Sequence, residues 1–211
     1  MGMRGHVRSI TPSQLKEFQR NPKTVHTAVH GKAKANAAKI KDALARAQEI
    51  AMKARASGRM GDPAEQEKAR ALILKELQGG GINLQGGSDE NGLNLEKSWH
   101  VLHYLLTGKA EEAPPPLGNA ILGGTEIGGD LGYGPARFLT ALQVREVAAA
   151  LASISADDLA KRFNLEAMIS AQIYPVRDEG ELELAQDYFQ QLSHYYADAA
   201  AAGNAMLLYV I

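Results

Sequence analysis

The chain has 211 residues, no cysteine, and a formal net charge of -1. Without cysteine, disulfide frameworks, Cys-ligated zinc, iron–sulfur clusters and thiol nucleophiles are excluded. The near-neutral sum hides a split, because residues 1–78 carry 16 basic and 7 acidic side chains and residues 79–211 carry 7 and 17. Ala supplies 34 residues, which argues for helices more than for a large core.

The chain order begins with a strand over Arg4–Ile10. Thr11 is placed to cap a helix whose first position is Pro12, where a missing N–H is harmless. Asn21-Pro22 repeats that logic for a short helix through Val25 and Val29, ended by Gly31. Residues 32–78 read as an inserted, basic helical hairpin, with Ile40, Leu44, Ala47, Ala51 and Ala54 as a narrow apolar stripe. Residues 79–92 hold six glycines among small polar residues, the composition of a connector. A helix is predicted over 96–106, and Pro114-Pro115-Pro116 as a stiff extended segment.

Residues 118–134 hold seven glycines interleaved with Ile121, Leu122, Ile127, Leu131 and Tyr133. A flexible linker would not carry so many large apolar residues, so an ordered loop with tight turns is expected. Thr140 and Ser155 are placed to cap two further helices, the second containing Leu159 and Phe163. Glu181–Ala202 carries apolar residues at three- and four-residue spacing, and Ala205–Ile211 reads as a buried terminal strand. Two strands at opposite ends of a helical chain predict an α+β fold. It is a mainly helical single domain over 1–211, with both termini in one small sheet.

The densest set of chemical groups opens the 96–106 helix. Glu96, His100 and His103 stand at i, i+4 and i+7, so one helix face would present a carboxylate and two imidazoles. They are weak metal candidates, since no glutamate follows the first histidine as in zinc proteases and no third strong ligand is evident. Glu126 and Asp130 are a carboxylate pair in the glycine-rich loop, and Arg137 is a planar cation beyond it. No Gly-Lys-Ser/Thr follows the glycines, and no Gly-x-Ser-x-Gly elbow surrounds Ser98. The reading therefore carries no cofactor and leans away from an enzyme.

Several of these segments act together as a motif set. Lys97-Ser98-Trp99-His100 with His103, Ala120-Ile121-Leu122-Gly123-Gly124 and Leu131-Gly132-Tyr133-Gly134-Pro135-Ala136-Arg137 resemble the YfbM-like family of bacterial proteins of unknown function. The opening Met1-Gly2-Met3-Arg4-Gly5, Ile173-Tyr174-Pro175 and the aromatic C-terminal helix fit as well. The resemblance covers about residues 1–30 and 90–211, and the 32–78 hairpin departs from it. It implies a compact α+β fold and no activity. The placing of some members near bacterial toxin systems makes immunity an expectation of the resemblance alone.

Two functional readings follow. The first is a non-enzymatic, cytoplasmic binding protein, a toxin-immunity or accessory factor, whose acidic 79–211 region steers a basic protein partner. The second is a small enzyme or ligand binder with a pocket of Trp99, His100, His103, Glu126, Asp130, Tyr133 and Arg137. A homo-oligomer through 32–78 is a further expectation. The acidic body weighs against nucleic acid, and no apolar run reaches the ~20 residues of a membrane span.

Overall fold

The computed structural model describes residues 2–31, 45–46, 52 and 92–211. The chain divides into two compact units, Met1–His26 with Glu90–Ile211, and Thr27–Asp89. In the second unit the described residues are a π-helical turn at Thr27–Gly31 and helical positions at 45–46 and 52. The predicted hairpin at 32–78, apart from those positions, and the connector before Gly92 lie outside the described residues.

The first unit is an α+β fold. Its sheet has five antiparallel strands: β1 (Gly5–Ile10), β2 (Leu93–Asn94), β3 (Thr125–Asp130), β4 (Pro135–Leu139) and β5 (Ala205–Val210). The order is β2-β1-β5-β4-β3, so the two terminal strands pair with each other inside the sheet. Their register runs from Gly5 opposite Val210 to Ile10 opposite Ala205. Arg4 and Ile211 extend the ladder by exchanging both backbone hydrogen bonds, at 2.8 and 3.0 Å. The strands predicted at both chain ends thus pair in one ladder.

Seven α-helices accompany the sheet among the described residues: α1 (Pro12–Arg20), α2 (Lys23–His26), α3 (Trp99–Thr107), α4 (Ala141–Ala152), α5 (Ala156–Arg162), α6 (Leu165–Ser170) and α7 (Gly180–Ala201). Capping boxes at Thr11/Gln14, Thr140/Gln143 and Ser155/Asp158 start α1, α4 and α5. Gly108 ends α3 in the left-handed conformation at φ 70°, with its N–H on the Tyr104 carbonyl. One face of the sheet presents Val7, Met206, Leu208 and Leu139 to a core shared with Leu102 and Leu105 of α3, Val144 and Val147 of α4, and Leu192 and Tyr196 of α7. On the other face Ile10, Leu207, Ala136 and Phe138 are also buried. With both faces covered, β5 carries an unbroken apolar run rather than an alternating one.

Four local expectations are corrected. Residues 96–98 are not helical, since α3 begins at Trp99 and Glu96 has a left-handed φ of 48°. The 114–116 prolines are not an extended rod; they bend, with a cis Pro115–Pro116 bond, into a 3₁₀ turn at Leu117–Ala120. Part of the glycine-rich segment is strand: β3 and β4 form a hairpin across 125–139. Phe163 lies just beyond α5, and a separate helix, α6, follows it.

Candidate functional site

Helix α3 places Trp99, His100 and His103 on the inner side of the fold. Trp99 is buried, with its ring stacked on His100 at 4.7 Å between centroids and 8° between planes. A Cβ at Gly5 would collide with the Trp99 side chain, so this glycine gives the indole its place on β1.

Both nitrogens of His100 are engaged. The Tyr174 N–H donates to Nδ1 at 3.0 Å, and Nε2 stands 2.8 Å from the Ala110 carbonyl. A carbonyl only accepts, so the proton sits on Nε2 and the ring is neutral. His103 repeats the arrangement one turn along, with Nε2 donating to the Glu111 carbonyl at 2.7 Å. Its Nδ1 is a buried acceptor without a partner, and the residue has no exposed surface. Burial lowers the pKa of both rings below the ordinary histidine value; the carbonyl contacts oppose this, and for His103 the charge of His100 adds to it.

The glycine-rich segment is organised differently. Arg137 on β4 lies opposite Glu126 on β3 and donates to it at 2.8 Å, and it also pairs with Glu112. Asp130 accepts from the Gly132 and Gly134 N–H groups at 2.7 and 2.9 Å, which closes the hairpin tip. These amide bonds hold its carboxyl below the usual range. The tip glycines have φ of 122° and 99°, values open to glycine and strained for other residues. Tyr133 projects from this tip, 55% exposed.

The seven candidates therefore fall into two groups. Trp99 and His103 are buried and His100 is half-buried, while Glu126, Asp130, Tyr133 and Arg137 belong to the hairpin. Residues 110–112 link the two groups: Ala110 and Glu111 contact the histidines and Glu112 pairs with Arg137. Glu96 is drawn away from both by Arg4 at 3.0 Å and Asn94 at 2.6 Å, so the expected carboxylate–imidazole face does not form. Among the described residues no three His, Asp or Glu side chains gather to hold a metal ion.

An open depression of about 360 Å³ lies elsewhere, between α1, the 22–25 turn and β3, lined by Gln19, Pro22, Glu126, Ile127, Gly128 and Phe138. Of the seven candidates only Glu126 lines it. Residues outside the seven candidates also organise the site. Besides Glu112 and Tyr174, Asn119 accepts from the Gly124 N–H at 3.1 Å, and the Tyr196 hydroxyl donates to the Ala120 carbonyl at 3.0 Å. The paired Glu111-Glu112 and an Asn ahead of Gly123-Gly124 were the available signals.

Fold and site together define a small α+β protein whose polar motif residues mostly bond to its own backbone. The chain belongs to the family described as "Domain of unknown function (DUF1877)", whose model matches residues 1–209. Its fold is similar to the crystal structure of YfbM from Escherichia coli, a protein of unknown function, at 16% identity over 99% of both chains with a TM-score of 0.59. The YfbM-like resemblance carried by the tryptophan–histidine and glycine motifs is thereby borne out. No curated protein matches the chain.

Proposed function

We propose that the protein is a non-enzymatic binding protein that offers an acidic surface on the β3–β4 hairpin to a basic protein partner. One observation carries this reading. His100, Asp130 and Arg137 are committed to internal bonds, whereas Glu112, Glu126 and Tyr133 remain more than half exposed. Two glutamates share one arginine, so the patch keeps a net negative charge. The excess of acidic residues over 79–211 adds a long-range field of the same sign. A role as a bacterial, cytoplasmic immunity or accessory factor is the form of this proposal that the family resemblance favours.

The test is affinity capture from the native host with the wild-type chain and a Glu112→Lys/Tyr133→Ala variant whose folding is checked by circular dichroism. A specific partner should be basic, and the variant should bind it roughly tenfold more weakly. Equal binding by both chains, or no partner at low salt, overturns the reading. The depression beside Gln19 and Phe138, which holds Glu126 alone of the seven candidates, supports a small-ligand binder with its site there rather than in the expected Trp99–His103 pocket. Ligand binding there would raise the melting temperature in a metabolite screen, and Phe138→Ala would abolish that rise.

A further inference from the structure

Three consecutive residues of β3, Glu126, Ile127 and Gly128, line the open depression of about 360 Å³. Successive residues of a strand face opposite sides of the sheet, so a hollow that touches all three wraps the strand's free edge. β3 is the last strand of the sheet, and among the described residues its backbone hydrogen bonds run to β4 alone. Pro22, Ile127 and Phe138 supply the apolar part of the lining, and Gln19 and Glu126 add an amide and a carboxylate. Glu126 is the charged member of this lining. Its Oε1 accepts from Arg137 at 2.8 Å, and its Oε2 takes no hydrogen bond among the described residues. Glu112 pairs with the same guanidinium, so Arg137 does not depend on Glu126 alone. The cations nearest Gln19 and Pro22 in sequence, Arg20 and Lys23, are exposed and do not line the hollow.

We propose that this depression seats an arginine side chain of the basic partner, with the guanidinium on Glu126 and Gln19 and the aliphatic stem against Pro22, Ile127 and Phe138. The inference rests on the acidic-surface reading above and gives that partner its anchoring residue.

The match is chemical. A long cationic side chain lays its stem on apolar surface and keeps its head at polar groups beside water. A volume near the ~300 Å³ lower end of ligand sites holds one such chain and little more. Arginine suits the lining better than lysine. Its several N–H groups serve a carboxylate and an amide oxygen at once, and its planar head stacks on an aromatic ring such as Phe138. The incoming guanidinium also completes a row of alternating charge: Glu112, Arg137, Glu126, arginine. Glu126 opposes an anion at the same place. A second copy's β3 laid along this edge would set acidic strands side by side, like charge against like.

The experiment is an NMR titration of the full chain with N-acetyl-arginine amide, compared with the matching lysine and citrulline amides and with free arginine. The blocked arginine should shift the Gln19, Glu126 and Gly128 amides along one saturating curve in the millimolar range. The citrulline amide keeps the shape and loses the charge, so it should bind about tenfold more weakly, and the lysine amide severalfold more weakly. Glu126→Gln should cost about the same tenfold, whereas Glu112→Gln, outside the depression, should change binding by less than about twofold. Both glutamates are more than half exposed, so neither substitution should unfold the chain. The inference is overturned if the blocked arginine leaves those amides unmoved, or if the citrulline or lysine amide binds equally well. It is also overturned if both glutamine variants weaken binding alike, the mark of diffuse attraction to acidic surface. Free arginine binding about tenfold more tightly than the blocked form would assign the hollow to a small molecule instead, and would equally sink it. Failure here is distinct from failure of the acidic-surface reading, which capture from the native host decides.

Discussion

At the scale of single residues, the polar motif is largely a set of internal hydrogen bonds. The Tyr196 hydroxyl is fully buried on the Ala120 carbonyl, and burial pushes its pKa upward. Tyr196→Phe leaves that carbonyl short of a donor and should cost about 1–3 kcal/mol, measured by urea denaturation. His100 and His103 set the pH behaviour. Their folded-state pKa values lie below the ordinary 6.5, so the unfolded chain takes up protons first as pH falls. Their contribution to stability should be complete above about pH 6.5 and decline as pH drops toward the folded-state values. Melting temperatures measured across that range check the sign, and the variant His100→Gln/His103→Gln should flatten the slope. Asp130 acts in the same direction, because its amide-bonded carboxylate has a lowered pKa. Asp130→Ala should loosen the hairpin tip, visible as faster exchange at the Gly132 and Gly134 amides.

At the scale of elements, helix starts were legible and one hairpin was not. Thr11, Thr140 and Ser155 cap helices as their spacing from Gln14, Gln143 and Asp158 allows. Thr140→Ala removes the cap of α4 and should cost about 1 kcal/mol in chemical denaturation. The β3–β4 hairpin escaped because Thr125-Glu126-Ile127-Gly128-Gly129-Asp130 has no alternation of apolar and polar residues. Its register slips between Ile127 and Asp130, and the strand is completed by neighbours rather than by propensity. A Cβ at Gly128, whose φ is 83°, would press on the Val25 side chain and the Pro22 carbonyl, a close approach that only the folded chain defines. The expected helical face of Glu96 failed for a related reason. Asn94 takes the Glu96 N–H and side chain, and Arg4 takes its second oxygen, before the helix begins.

At the scale of the whole molecule, the first unit is tied by contacts between the two ends of the chain. β5 lies between β1 and β4, so the last residues occupy an interior place in the sheet. Leu207 has no exposed surface, and Leu207→Ala should cost about 2–5 kcal/mol in equilibrium unfolding. Deleting residues 205–211 should prevent cooperative unfolding altogether, as seen by calorimetry, because β1 and β4 would lose their shared partner.

The elements with strong local causes were therefore visible in the chain itself. Hydroxyl and amide side chains at N-caps act over three residues, and the apolar run at Ala205–Val210 needs burial wherever it pairs. The functional arrangement has no such local cause. His100 meets Tyr174 across 74 positions, and Arg137 selects Glu112 as well as its cross-strand partner Glu126. Spacing along a helix told which face the histidines share. Whether that face would meet a metal, a pocket or the protein's own carbonyls depended on which segment packs over it, and tertiary folding placed 110–112 there.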